Sequence, residues 1–71
     1  MNQNRLERRL GILEFTQAYC LENSISPTVR DIQRACEVSS TSIVHSDLKW
    51  LDAMGYIDWV SGTARGIKVL D

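Results

Sequence analysis

Apolar residues in the first third of the chain recur three and four positions apart. Leu6, Leu10 and Leu13 form one stripe and Ile12, Phe15 and Tyr19 an adjoining one, the spacing of an amphipathic helix with a broad buried face. The pattern predicts a first helix over about 5–23. Asn23-Ser24 end it, and Ser26-Pro27 make an extended link, because a residue before proline avoids the α region. Thr28 opens a second helix, over about 28–36, with its hydroxyl placed to cap free amides and Asp31 in the capping-box position. Its buried stripe is Val29, Ile32, Ala35 and Cys36. Glu37-Val38-Ser39 make a turn with Val38 as an apolar plug between helices, and Ser39 or Ser40 caps a third helix over about 40–54. There Val44, Leu48 and Leu51 recur at i, i+4 and i+7, flanked by Ile43 and Met54, and Gly55 supplies a left-handed stop.

The period then changes from helical to alternating. Ile57, Trp59, Ile67 and Val69 alternate with polar neighbours as the inward residues of two strands, and 61–66, with its two glycines, makes the turn of a hairpin over 56–70. The predicted class is α+β, mainly α. Three helices followed by a C-terminal β-hairpin are the winged form of a helix-turn-helix, here as one domain over residues 1–71.

Seventy-one residues support only a thin core, yet 44% hydrophobic content and a single proline argue against disorder. Cys20 and Cys36 both fall in helical pattern; a pair of buried thiols in a reducing cytosol is preferred to a disulfide, and no CxxC or Cys/His spacing suggests zinc. No apolar run is long enough to span a membrane, and the polar N-terminus lacks the core of a secretory signal. A cytoplasmic location is the expectation. No nucleophile–base arrangement, glycine-rich phosphate cradle or enclosed substrate pocket is foreseen, so neither catalysis nor a cofactor or metal is expected, and no small-molecule substrate.

The exposed face of the third helix carries mostly short polar side chains, which approach base edges and phosphates more closely than long ones. This points to double-stranded DNA as the partner. A net charge of −1 supplies no global field toward phosphate, so the cations must act by local placement: Arg5, Arg8 and Arg9 at the front, Arg30 and Arg34 on the second helix, Arg65 and Lys68 in the hairpin. The bland alternative is that these are ordinary solvated charges.

The motifs sharpen the picture. Pro27-Thr28-Val29-Arg30-Asp31-Ile32 resembles the "PP-[ST]-x-R-E-I" run of LexA-type SOS repressors, and Ser39 to Leu48 is similar to the "ASSSTVHGHL" recognition helix of their Gram-positive members. Leu51 to Ile57 resembles "L-x-x-x-G-x-I", and Ser61 to Ile67 is close to the "SGASRGI" wing. The resemblance runs from about residue 8 to 70, with four motifs in one order. It implies sequence-specific DNA binding by a bacterial or phage repressor or accessory regulator, associated with the nucleoid. It also implies roles: Ser40, Ser42, Ile43, His45 and Ser46 toward bases; Thr28, Arg30, Ser39, Thr41, Lys49, Ser61, Thr63 and Arg65 toward the DNA backbone. The resembled repressors continue into a hinge and a serine–lysine self-cleaving domain that also dimerises; if Asp71 is the natural end, both are lacking. A monomer this small is expected to bind as a pair on a two-part site.

Two residues depart from the resembled pattern. Asp47 would either repel phosphate or accept from cytosine. Trp50, about 160° from the Leu48 core line, is either exposed as a protein interface or folded back onto the first helix or hairpin. The rival function is therefore a winged-helix module that binds or antagonises a larger regulator, with a homodimer or partner regulator as its counterpart. Arg8 and Arg9 either touch phosphate or merely solubilise the first helix.

Overall fold

The computed structural model describes residues 4–60, 62 and 65–70. Its elements run α1 (Arg5–Asn23), α2 (Val29–Ala35), α3 (Thr41–Ala53), β1 (Ile57–Trp59) and β2 (Ile67–Val69). Each helix begins where a side-chain oxygen meets an otherwise unpaired amide. The Asn4 carboxamide oxygen accepts from the Leu6 N–H at 2.8 Å for α1. For α2 the full capping box forms: the Asp31 N–H donates to the Thr28 hydroxyl at 3.0 Å, and the Thr28 N–H donates to the Asp31 carboxylate at 3.0 Å. Ser40 caps α3, accepting from the Ile43 N–H at 3.3 Å. Thr28, Ser40 and Met54 thus flank their helices as caps, which trims the expected spans of α2 and α3 at their ends.

Ser24 ends α1 in the left-handed region at φ 60°, its N–H donating to the Cys20 carbonyl at 2.9 Å. The α2–α3 turn needs one left-handed residue too, and Glu37 takes it at φ 54°. That lets the Val38 N–H reach the Gln33 carbonyl at 3.0 Å while its side chain enters the core. After α3, Gly55 turns the chain at φ 85°, a conformation that an L side chain would strain.

β1 and β2 pair antiparallel in the register Ile57↔Val69, Asp58↔Lys68 and Trp59↔Ile67. Alternation puts Ile57 and Ile67 fully under the helices with Trp59 and Val69 half-buried beside them, as the sequence pattern predicts, and leaves the opposite charges of Asp58 and Lys68 facing outward together. The strands are shorter than the 56–70 hairpin span, although the Val60 N–H to Gly66 carbonyl (2.8 Å) and Leu70 N–H to Tyr56 carbonyl (3.0 Å) bonds extend the ladder at both ends.

One core joins all five elements: Ile12, Ile32, Val38, Val44, Leu48, Leu51, Ile57 and Ile67. The inward row of α1 differs from the expected one. Arg8, Ile12 and Thr16, spaced i, i+4 and i+8, face the other helices; Leu6 and Leu10 are 49% and 42% exposed. The physical reason lies at the N-terminal turns of α1, where two arginines and a carboxylate from α3 fill the space that a leucine stripe would need. Thr16 is tolerated inside because its hydroxyl donates to the Ile12 carbonyl at 2.8 Å. Cys20 and Cys36 are free and half-buried, and burial pushes the Cys36 thiol pKa up. Among the described residues no helix is long and apolar enough to cross a membrane.

Candidate nucleic-acid interface

At about 100° per residue, α3 divides cleanly. Val44, Asp47, Leu48 and Leu51 point inward and are buried. Ser42, Ser46, Lys49 and Ala53 lie on the opposite side and are exposed. His45 is exposed on the flank nearer the hairpin, where its ring stacks on Trp59 at 5.6 Å between centroids and 27° between planes. Ile43 and Trp50 fall on the other flank, nearer α1, and both are half-buried. The result is a strip of hydroxyl, imidazole and ammonium groups along one side of α3. Its carboxylate, Asp52, lies two turns along from His45 toward the C-terminal end.

Asp47 does not face this strip. Its side chain is 0% exposed and accepts three hydrogen bonds from α1: Arg8 Nε at 2.5 Å, Arg8 Nη2 at 2.7 Å and Arg9 Nε at 3.1 Å. Burial by itself would push this carboxyl up. The bonds from Arg8 and Arg9, with their charges, outweigh that and hold it below the usual carboxylate range, while the bond to Asp47 raises Arg8. Neither phosphate repulsion nor a cytosine contact is therefore open to Asp47, and the two arginines neither float in solvent nor stand free for phosphate. The signal was present in the periodicity: Asp47 is three residues after Val44 and four before Leu51, so it falls inside the apolar row, and a carboxylate there demands partners.

Trp50 takes the folded-back alternative. The Arg9 guanidinium lies 4.6 Å over its ring, and Tyr56 stacks on it at 6.3 Å. The tryptophan thereby joins α1 to the start of the hairpin.

The remaining candidates are placed as follows. Arg30 is exposed on α2 and Ser39 is exposed in the turn; Thr41 is half-buried in the first turn of α3. The hydroxyl oxygens of Thr28 and Ser40 serve as helix caps. The Thr28 N–H, then the Thr28 hydroxyl, draw the Asp31 carboxyl below its usual range. Arg65 Nη1 donates to the Ser26 carbonyl at 2.6 Å, latching the hairpin to the α1–α2 link. Ser61 and Thr63 lie outside the described residues. Among the described residues no three metal-ligating side chains gather. The chemistry on offer is hydrogen bonding and charge along a ridge.

A model of the LexA DNA binding domain family matches residues 3–66, from α1 through the wing turn. This chain belongs to that family. It is similar to the LexA repressor of Clostridium botulinum (strain Hall), 35% identical over 71 residues, which is 100% of this chain and 35% of that protein. It is also similar to the LexA repressors of Roseiflexus sp. (37% over 62 residues, 87% of this chain and 28% of that protein) and Herpetosiphon aurantiacus (31% over 65 residues, 92% and 30%). The chain spans about a third of the length of these curated relatives. In LexA terms α2 and α3 are the helix-turn-helix and β1–β2 the wing.

Proposed function

We propose that this LexA-type domain binds double-stranded DNA sequence-specifically and represses transcription by occupying sites that polymerase needs. The observation that carries the reading is the outward strip of Ser42, His45, Ser46 and Lys49, cleared of the neighbouring Asp47 carboxylate by its burial against α1. Short hydroxyls let α3 sit deep in the major groove, where Ser42, Ser46 and His45 meet base edges and Ile43 stands at the margin. Lys49, Arg30 and Thr41 border the strip toward phosphate, and the amides at the front of α3 suit an anion. The wing follows through Ser61, Thr63 and Arg65, the last after leaving the Ser26 carbonyl. Two copies on a two-part site give the number of base contacts that one small domain lacks. The working place is the nucleoid of a bacterial or phage-infected cell.

The protein-partner reading loses its anchor, because Trp50 is held between Arg9 and Tyr56. The test is selection from a random duplex pool followed by fluorescence titration of the enriched sequence. Ser42→Ala with His45→Ala should lower affinity for that sequence at least about tenfold, as loss of one or two base contacts does. The same pair should lower Tm by only about 3–10 °C, the loss of the His45 stack on Trp59, Ser42 being exposed. Undiminished binding by the double variant overturns the assigned face.

A further inference from the structure

We propose that Asp47 is a positioning residue: clamped by Arg8 and Arg9, it fixes the rotation of α3 about its own axis and thereby sets which base edges Ser42, His45 and Ser46 meet. The inference rests on the DNA-binding function proposed above and assigns a specificity role to a group that touches no DNA.

Three observations converge on it. Asp47 is fully covered, yet lies between two strip residues, with Ser46 one position before it and Lys49 two after. Its two oxygens take three N–H donors, all from α1, and its fork with Arg8 is bidentate. Arg9 then continues over Trp50, three residues further along α3, so the helix is held to α1 at two points nearly one turn apart. The apolar contacts of Val44, Leu48 and Leu51 are non-directional and tolerate a small roll of α3; hydrogen bonds to a planar carboxylate do not. A roll of about 20° moves a side-chain tip, some 5–6 Å from the helix axis, by roughly 2 Å. That displacement breaks a hydrogen bond to a base edge but leaves general attraction to the phosphates. Discrimination is therefore the quantity that Asp47 governs.

Removing its charge moves the two components of binding in opposite directions. With Asp47→Asn, 8 basic and 9 acidic side chains become 8 and 8, and two guanidiniums beside the recognition helix lose their counter-charge. Attachment to arbitrary duplex then strengthens while attachment to the selected sequence weakens. A role confined to stability lets the charge change act alike on both duplexes in the folded protein and leaves their ratio unchanged.

The experiment uses the full 71-residue chain, at a temperature where circular dichroism shows each variant folded. Affinities are measured for the duplex enriched by the unmodified protein and for a shuffled duplex. Asp47→Asn should reduce the ratio of the two at least about tenfold, with the shuffled-duplex affinity unchanged or higher; Asp47→Glu, which keeps the charge, should recover part of the ratio. Should Asp47→Asn not fold, Arg9→Lys is read instead: it keeps the charge, loses the planar fork over Trp50, and should reduce the ratio about threefold. A ratio within twofold of the unmodified protein in the folded variant overturns the proposal. Residual dipolar couplings of α3 amides against those of α1 decide it independently of DNA. A changed inter-helix orientation in the variant supports the clamp, and an unchanged one refutes it. If the unmodified protein enriches no duplex, the DNA-binding function fails while the dipolar couplings still settle the clamp.

Discussion

Ser40 separates capping from DNA contact, because one substitution removes the first and another preserves it. Its hydroxyl accepts from the Ile43 N–H at 3.3 Å, toward the long end of useful hydrogen bonds. Replacement of such a cap by alanine costs about 0.5–1 kcal/mol, the lower half of the usual range. Over 71 residues the entropy of unfolding is roughly 150 cal/mol/K. Ser40→Ala should therefore lower Tm by about 3–7 °C. Aspartate caps as well as serine, and its charge suits the positive end of the helix, so Ser40→Asp should match or slightly exceed the unmodified Tm. On DNA the order reverses. In the folded protein alanine leaves the proposed strip intact and affinity within about threefold, whereas an added carboxylate at the front of the recognition helix repels phosphate and weakens binding about tenfold at 0.1 M salt. Calorimetry and fluorescence anisotropy on the same samples give both orders. If Ser40→Ala loses tenfold in affinity with its Tm unmoved, the hydroxyl reads DNA and the cap is idle, and the reasoning fails.

Other outcomes follow from the same structure. Asp31 and Asp47 both have folded pKa values below the unfolded carboxylate value of about 3.9. Their contribution is thus fully present above that value and lost as pH falls through the folded ones, so Tm should hold from pH 7 to about 5 and drop steeply below about 4; Asp47→Asn should flatten the drop. Leu48→Ala opens a fully buried site and should cost about 2–5 kcal/mol, against a total of roughly 4–11 kcal/mol for a chain of this length, so chemical denaturation should show a variant with little margin left. Gly55→Ala meets no neighbour within 4 Å, but φ is 85°, and the resulting loss of about 1 kcal/mol should appear in urea melts with an unchanged slope.

Much of this architecture was legible because independent cues agreed. The Thr28-to-Asp31 spacing, the Val44–Leu48–Leu51 row, Gly55 and the alternation around Ile57 and Ile67 each specify local structure through contacts short in sequence. What escaped depends on pairs 38 and 39 positions apart: Arg9 with Asp47, and Arg8 with Asp47 or Arg65 with Ser26. Periodicity on α1 favoured the leucines over the arginines, since a hydropathy pattern has no way to value a charged residue whose counter-charge arrives from another helix. Of the candidate interface, the exposure of Ser42, His45, Ser46 and Lys49 could be read as the complement of the buried row. The stacking of His45 on Trp59 and of Trp50 on Tyr56 could not, because each requires knowing where the hairpin lands.

The long-range carboxylate grip bears on how this chain can be re-engineered or can drift. Residues 39–54 are not a portable cassette: moved alone into a related scaffold they bring an interior anion with nothing to neutralise it, and moved out they strand two guanidiniums at the top of α1. A swap of target preference between such proteins should succeed only when positions 8 and 9 travel with position 47, so the inheritable unit of recognition is a helix together with the first two turns of its neighbour.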